Sequence, residues 1–166
     1  PRPCDNAPIG PRRRGPARTL QALSVSMSVS PLAPSPAIAS LSPFVQAGVV
    51  ALGGAVGCLT RWRMGVWLND LPSPIAAGTL AVNVIGGLLI GFLLVLFERA
   101  PSEPMRLLLI TGVLGGMTTF SAFTAESLEL LLKGQAGIAL MHTTAHVLGS
   151  LAAAALGWKI GRWVLA

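Results

Sequence analysis

The stretch GVLGGMTTFSAF, Gly112 to Phe123, gathers side chains suited to handling a small ion. Two threonines and a serine offer hydroxyls. Phe120 and Phe123 are three residues apart and share one face of any helix that holds them both. A phenyl ring has a positive edge, so two rings on one face can favour a small anion without the strong trapping a lysine would impose. The neighbouring glycines suit a different chemistry. Unwinding across Gly115, Gly116, Met117, Thr118 and Thr119 would free carbonyl oxygens, and in a dry site such oxygens suit a monovalent cation. A glycine kink beside two core phenylalanines is the purely structural alternative.

Other polar residues interrupt the apolar runs. Asn83, in GTLAVNVIGGLLIG, lies deep in its run, where an amide must find partners. It either glues helices together or presents an N–H donor to a polar pathway. Arg61 either snorkels to the headgroups or provides positive potential at a pore mouth. Glu126, one turn beyond Phe123, is expected to be partly buried, and Glu129 to approach the interface and pair with Lys133 four residues on. His142 and His146, with Thr143 and Thr144, share a helical face. Two such histidines can bind metal, but no Cys, Asp or Glu in that run completes a site, so hydrogen bonding within the bundle is expected. Nothing resembles a nucleophile, an acid–base pair or a phosphate loop, and the chain is expected not to be an enzyme.

These residues need a membrane to position them. Of the 166 residues 11% are charged and 52% hydrophobic, with mean hydropathy +0.69, a balance that cannot cover a water-soluble domain with polar surface. Four uncharged windows each hold the roughly 20 apolar residues of a membrane span. The spans are expected at 44–62, 75–97, 105–131 and 137–158, with loops too short for a soluble catalytic domain. Gly53 and Gly57, Gly87 and Gly91, Gly112 and Gly116, and Gly157 and Gly161 recur at helical spacing. Small residues let helices approach closely in lipid, and so many such faces on four helices point to a dimer. Trp62, Trp67, Trp158 and Trp163 fall near the expected span ends as interfacial anchors.

Residues 1–43 form a Pro-, Ser- and Arg-rich extension expected to be disordered, and 44–166 the membrane domain. Translation is expected to begin at Met27. Cys4 and Cys58 imply no disulfide framework. The net charge of +6 and pI near 11.1 come mostly from the extension and are not read as nucleic-acid binding. Within the membrane domain Arg99, Arg106, Lys159 and Arg162 lie on one side, and Arg61, Arg63 and Lys133 on the other. So even a distribution permits insertion both ways up, whereas the arginines of the extension would fix one orientation.

Three segments, GGAVGCLTRW (Gly53 to Trp62), GTLAVNVIGG (Gly78 to Gly87) and GVLGGMTTFSAFTAE (Gly112 to Glu126), together resemble the CrcB/Fluc family of fluoride channels over roughly residues 45–165. The resemblance implies an all-α integral membrane fold of four transmembrane helices with a broken third, assembled as an antiparallel dual-topology homodimer. It further implies two fluoride pores, a structural sodium ion at the dimer axis and export of toxic fluoride across the cell inner (plasma) membrane. The implied partners are fluoride ion, the lipid bilayer and a second copy of the chain. By motif, Phe120 and Phe123 match the family's pore phenylalanines and Asn83 its pore asparagine. Thr119 and Ser121 match the polar residues of the break, and Gly115 and Thr118 the carbonyls that hold sodium. Arg61 matches the arginine near the vestibule and Glu126 the glutamate after the break. The chain departs from the family in the fourth span. It has no tyrosine, and LMHTTAHVLGS offers His142, Thr143, Thr144, His146 or Ser150 instead. The rival readings are a small multidrug-resistance-type transporter, which would need a carboxylate in the first span, and a non-transporting membrane protein.

Overall fold

The computed structural model describes residues 42–70 and 73–166. Most of the N-terminal extension and the expected start at Met27 lie outside the described residues. Among those described there are helices and no strands. Ser42 opens α1 (Pro43–Leu68), its hydroxyl accepting from Val45 N–H, with Pro43 in the first turn, where its missing N–H removes no helical bond. The helix α2 (Ala77–Arg99) follows, tied back to α1 by Gly78 N–H donating to Asn69 Oδ1 at 2.8 Å.

The third span is composite. It comprises α3 (Glu103–Arg106), a wider π-helical stretch over Leu107–Leu114, the single turn α4 (Gly115–Met117) and, after an extended link at Thr118 and Thr119, α5 (Phe120–Leu132). Gly134, at φ 72°, turns the chain into α6 (Ala136–Val164). A left-handed conformation there suits glycine, which has no Cβ to clash.

Four stretches are long and apolar enough to cross a membrane: Pro43–Leu68, Ala77–Arg99, Glu103–Leu132 and Ala136–Val164. Each expected span lies within or close to one of them, and the helices run further. The first continues six residues past its expected end at Trp62, and the fourth six past Trp158, so these tryptophans sit within helices rather than at their ends. Arg63 stacks over Trp67, 4.6 Å from its centroid, and Arg162 over Trp158 at 5.4 Å. Amphipathic pairs of this kind suit a headgroup layer.

The glycine pairs mark where helices touch. A Cβ on Gly116 would lie 2.6 Å from Gly54 O, and one on Gly57 would strike Val113 O, so α1 lies backbone to backbone against the first half of the third span. A Cβ on Gly87 would lie 2.5 Å from Ser150 O. One on Gly91 would strike Ala154 O and one on Gly157 would strike Leu88 O, so α2 and α6 form a second seam. Both follow the small-residue logic read from the sequence.

Candidate functional site: the break in the third span

The unwinding is narrower than expected. Gly115, Gly116 and Met117 remain helical, and only Thr118 (ψ 153°) and Thr119 (ψ 118°) are extended. Gly116 is kept for close contact with α1, and two β-branched residues with a natural extended preference make the link.

Asn83 holds this link. Its Oδ1 accepts from Thr119 N–H at 2.8 Å, and its Nδ2 donates to Thr119 C=O at 3.1 Å, so one side-chain amide pairs with both backbone groups of one residue as a strand neighbour would. The remaining Nδ2 hydrogen faces His146 Nδ1 at 3.2 Å. Thr119 then caps α5, its Oγ1 accepting from Ala122 N–H at 3.2 Å and lying 3.1 Å from Ser121 Oγ. Whichever hydroxyl donates in that pair, the other O–H is left for another acceptor.

Two carbonyls lose their helical donors in the process. Thr119 N–H, which Gly115 C=O would take in a continuous helix, goes to Asn83. Ala122 N–H, which Thr118 C=O would take, goes to Thr119 Oγ1. The Thr118 hydroxyl is occupied separately, donating to Leu114 O at 2.9 Å. Gly115 is exposed on the outside of the single chain.

Glu126, Thr79, His142 and Ser127 form a second polar group one turn further along α5. Thr79 donates to Glu126 Oε1 at 2.5 Å, His142 Nε2 lies 3.2 Å from Glu126 Oε2, and Ser127 Oγ lies 3.1 Å from His142 Nδ1. Ring stacking joins the two groups. Phe123 lies 5.3 Å from Phe120, 5.4 Å from His142 and 4.9 Å from His146, centroid to centroid. Phe120 projects outward, 77% exposed.

An open cleft of about 450 Å³ is lined by Arg61, Asn69, Thr79, Thr119 and Glu126 among others. A second, of about 250 Å³, includes Asn69, Glu126, Glu129, Lys133 and His142 in its lining. Both reach the end of the bundle where α1 gives way to α2. Glu129 and Lys133 pair at 2.6 Å on the surface, as their spacing suggests.

Thus Asn83, Thr119, Ser121, Phe123 and Glu126 are gathered around the break, Arg61 joins them at the cleft, and Phe120 and Gly115 face away from the chain's own core. Sequence reasoning missed Thr79 and Ser127. Thr79 is four residues before Asn83, on the same helical face, and that spacing was a usable signal. The histidines are hydrogen-bonded within the bundle as expected, and a carboxylate also approaches them. It comes from α5, not from their own helix, and Glu126, His142 and His146 offer one ligand atom each within 4.8 Å of one another.

The fold and site define a four-span helical membrane protein with an interrupted third span whose break is closed by hydrogen bonds from an asparagine of the second span. The family model described as CrcB-like protein, Camphor Resistance (CrcB), matches residues 48–158, and the chain belongs to this family. Among its relatives is the fluoride-specific ion channel FluC of Pseudomonas aeruginosa (strain UCBPP-PA14), 46% identical over 118 residues, covering 70% of this chain and 93% of the relative. Proteins of the same name from Cupriavidus pinatubonensis (strain JMP 134 / LMG 1197) and Aromatoleum aromaticum (strain DSM 19018 / LMG 30748 / EbN1) are 48% and 44% identical. They cover 65% and 74% of this chain and 87% and 92% of the relatives. The chain is a multi-pass membrane protein of an ion-channel family, not of an enzyme family.

Proposed function

We propose that this protein is a fluoride-specific ion channel that lets fluoride leave the cell passively across the plasma membrane, uncoupled to protons or other ions. The observation that carries the reading is the Asn83-clamped break, which brings hydroxyls and phenyl edges together at membrane depth. Relatives bearing the fluoride-channel name over nearly their whole length support it.

Fluoride holds water tightly, so its path must replace that water with several modest donors. Arg61, at the cleft, supplies positive potential at the entrance, while Glu126 is held by Thr79 and His142. Thr119 and Ser121 together offer one unused O–H, and Phe120 and Phe123 offer ring edges. Asn83 serves the path by fixing the break, since its amide is engaged with Thr119 and His146.

The working unit is an antiparallel dual-topology homodimer with two pores. The outward-facing Phe120 supports this arrangement, because a pore ring that lies 77% exposed on one chain calls for a second copy to enclose it. The near-even basic residues on the two sides agree with it. The Gly115 and Thr118 carbonyls, deprived of helical donors, suit a structural sodium ion at the dimer axis, which would supply positive charge to hold the two breaks together.

Fluoride efflux from proteoliposomes, with chloride as control, tests the proposal. Rapid fluoride release without chloride release is expected, and Phe120→Ile or Phe123→Ile should reduce it while leaving dimer assembly intact. No fluoride release from well-folded dimers would overturn the channel reading, and normal flux in both variants would overturn the role of the rings.

A further inference from the structure

His146 carries a donor that the path described above does not use. The Asn83 amide has only one orientation that fits its partners, because Oδ1 must face the Thr119 N–H and Nδ2 the Thr119 C=O. An amide nitrogen cannot accept. The 3.2 Å contact from Asn83 Nδ2 to His146 Nδ1 therefore has one polarity, with Nδ1 accepting. A neutral imidazole that accepts at Nδ1 bears its proton at Nε2. His146 is 4% exposed, and its Nε2 is the buried side-chain polar atom left without a hydrogen-bond partner among the described residues. A buried N–H without an acceptor is costly, and its presence asks what it donates to.

The same polarity argues against a metal centre at Glu126, His142 and His146. A metal at His146 Nε2 needs that nitrogen's lone pair, so the proton would have to move to Nδ1 and confront the Asn83 N–H. Relieving that clash would release the amide that holds Thr119. His142 follows the same pattern, with Nε2 directed at the Glu126 carboxylate as a donor and Nδ1 accepting from Ser127. Of the two imidazole N–H groups, that of His142 is taken by the Glu126 carboxylate and that of His146 has no partner among the described residues, so the complement of the free one is an acceptor.

We infer that His146 Nε2–H is a hydrogen-bond donor to fluoride in the fourth span, and that Asn83 creates it by selecting the tautomer. This inference rests on the fluoride-channel reading. The imidazole lies beside the Phe123 ring, at 4.9 Å, and the His142 ring, at 4.4 Å, so a fluoride there would meet one N–H in aromatic surroundings. It is one contact inward from each cleft, because Thr119 lines the larger, His142 the smaller, and both adjoin the Asn83–His146 pair. A neutral ring N–H is also the right strength, since it replaces water without holding the ion as a cationic group would.

Fluoride efflux is measured for the parent, His146→Met and His146→Gln, each checked for the parent's dimer elution and helicity. Methionine fills the space without a donor, and glutamine returns an N–H. The methionine variant is expected to slow fluoride release about 10- to 100-fold, the loss of one hydrogen bond to a charged group, and the glutamine variant to recover most of it. Methionine at the parent rate, or glutamine as slow as methionine in well-folded protein, overturns the inference. Nitrogen NMR of the ¹⁵N-histidine-labelled parent gives a readout independent of flux and of variant folding. The proton is expected on His146 Nε2, with a resonance that responds to sodium fluoride and not to sodium chloride. A proton on Nδ1, or no response to fluoride, overturns it. A parent that releases no fluoride removes the channel reading and this inference together, whereas an unaffected methionine variant beside an active parent removes this inference alone.

Discussion

The seam between α2 and α6 and the break within the third span share one bundle and follow opposite rules. Along the seam, glycines at Gly87, Gly91 and Gly157 let two continuous helices meet backbone to backbone, and every main-chain group is satisfied within its own helix. At the break, Thr118 and Thr119 leave the helix, and the main-chain N–H and C=O of Thr119 depend on a side chain from α2. The seam tolerates no added atoms and asks nothing of chemistry. The break tolerates polar groups because most have a named partner, and the donors left over are available to an ion. A membrane protein can thus keep its assembly and its permeation chemistry in adjacent layers of one helix, since α2 shows Gly87 and Gly91 to α6 and Asn83 to the break.

If that division holds, the two regions fail differently when altered. Gly91→Leu should have the largest effect, because even its Cβ would strike Ala154 O. An overpacking cost of about 3 kcal/mol is expected, seen as loss of folded protein on size exclusion and lowered thermal stability. Recovery of parent-like protein would mean that the seam gives more than backbone contact allows.

Asn83→Leu should come next and should separate the regions. The buried Thr119 N–H and C=O lose their partner, costing about 2 kcal/mol, and fluoride release should fall about 100-fold while circular dichroism keeps the parent's helical content. A parallel loss of helicity would show that the break and the seam are one cooperative unit.

The smallest effect is expected from Thr119→Val, which removes the cap of α5 and the Ser121 partner but leaves the Asn83 pairing to the backbone. A loss of about 1 kcal/mol and roughly fivefold slower release should be recovered by Thr119→Ser in the same efflux and thermal assays. Failure of serine to rescue would assign the position to methyl packing against α2.

Much of this architecture is legible in the sequence because lipid imposes simple rules. Uncharged length sets the spans, and glycine spacing sets the faces that meet. The break was legible in kind but not in place. The sequence suggests unwinding from Gly115 through Thr119, whereas Gly115 to Met117 stay helical, Gly116 is needed for contact with α1, and the extended residues are Thr118 and Thr119. The π-helical winding over Leu107–Leu114 carries no composition signal, since LLLITGVL would serve an ordinary helix equally well.

The candidate site was legible residue by residue through its motif and only partly as a constellation. Phe120, Ser121 and Phe123 are neighbours in sequence and could be read together. Thr79, Glu126, His142 and Ser127 come from three helices and meet only when those helices pack. The fourth span holds no carboxylate beside the histidine pair, as its sequence shows, and the approach of Glu126 from α5 is visible only once the helices pack.

By itself, then, the sequence determined that this chain lives in a membrane, crosses it four times and carries a polar interruption, because burying apolar length and excluding charge are properties of composition and order. Only the tertiary structure decided which residue closes that interruption, which carbonyls are left free and which histidine nitrogen carries the proton. Those outcomes depend on directional hydrogen bonds between residues 36 and 63 positions apart, from Asn83 to Thr119 and from Asn83 to His146, whose geometry no local pattern encodes.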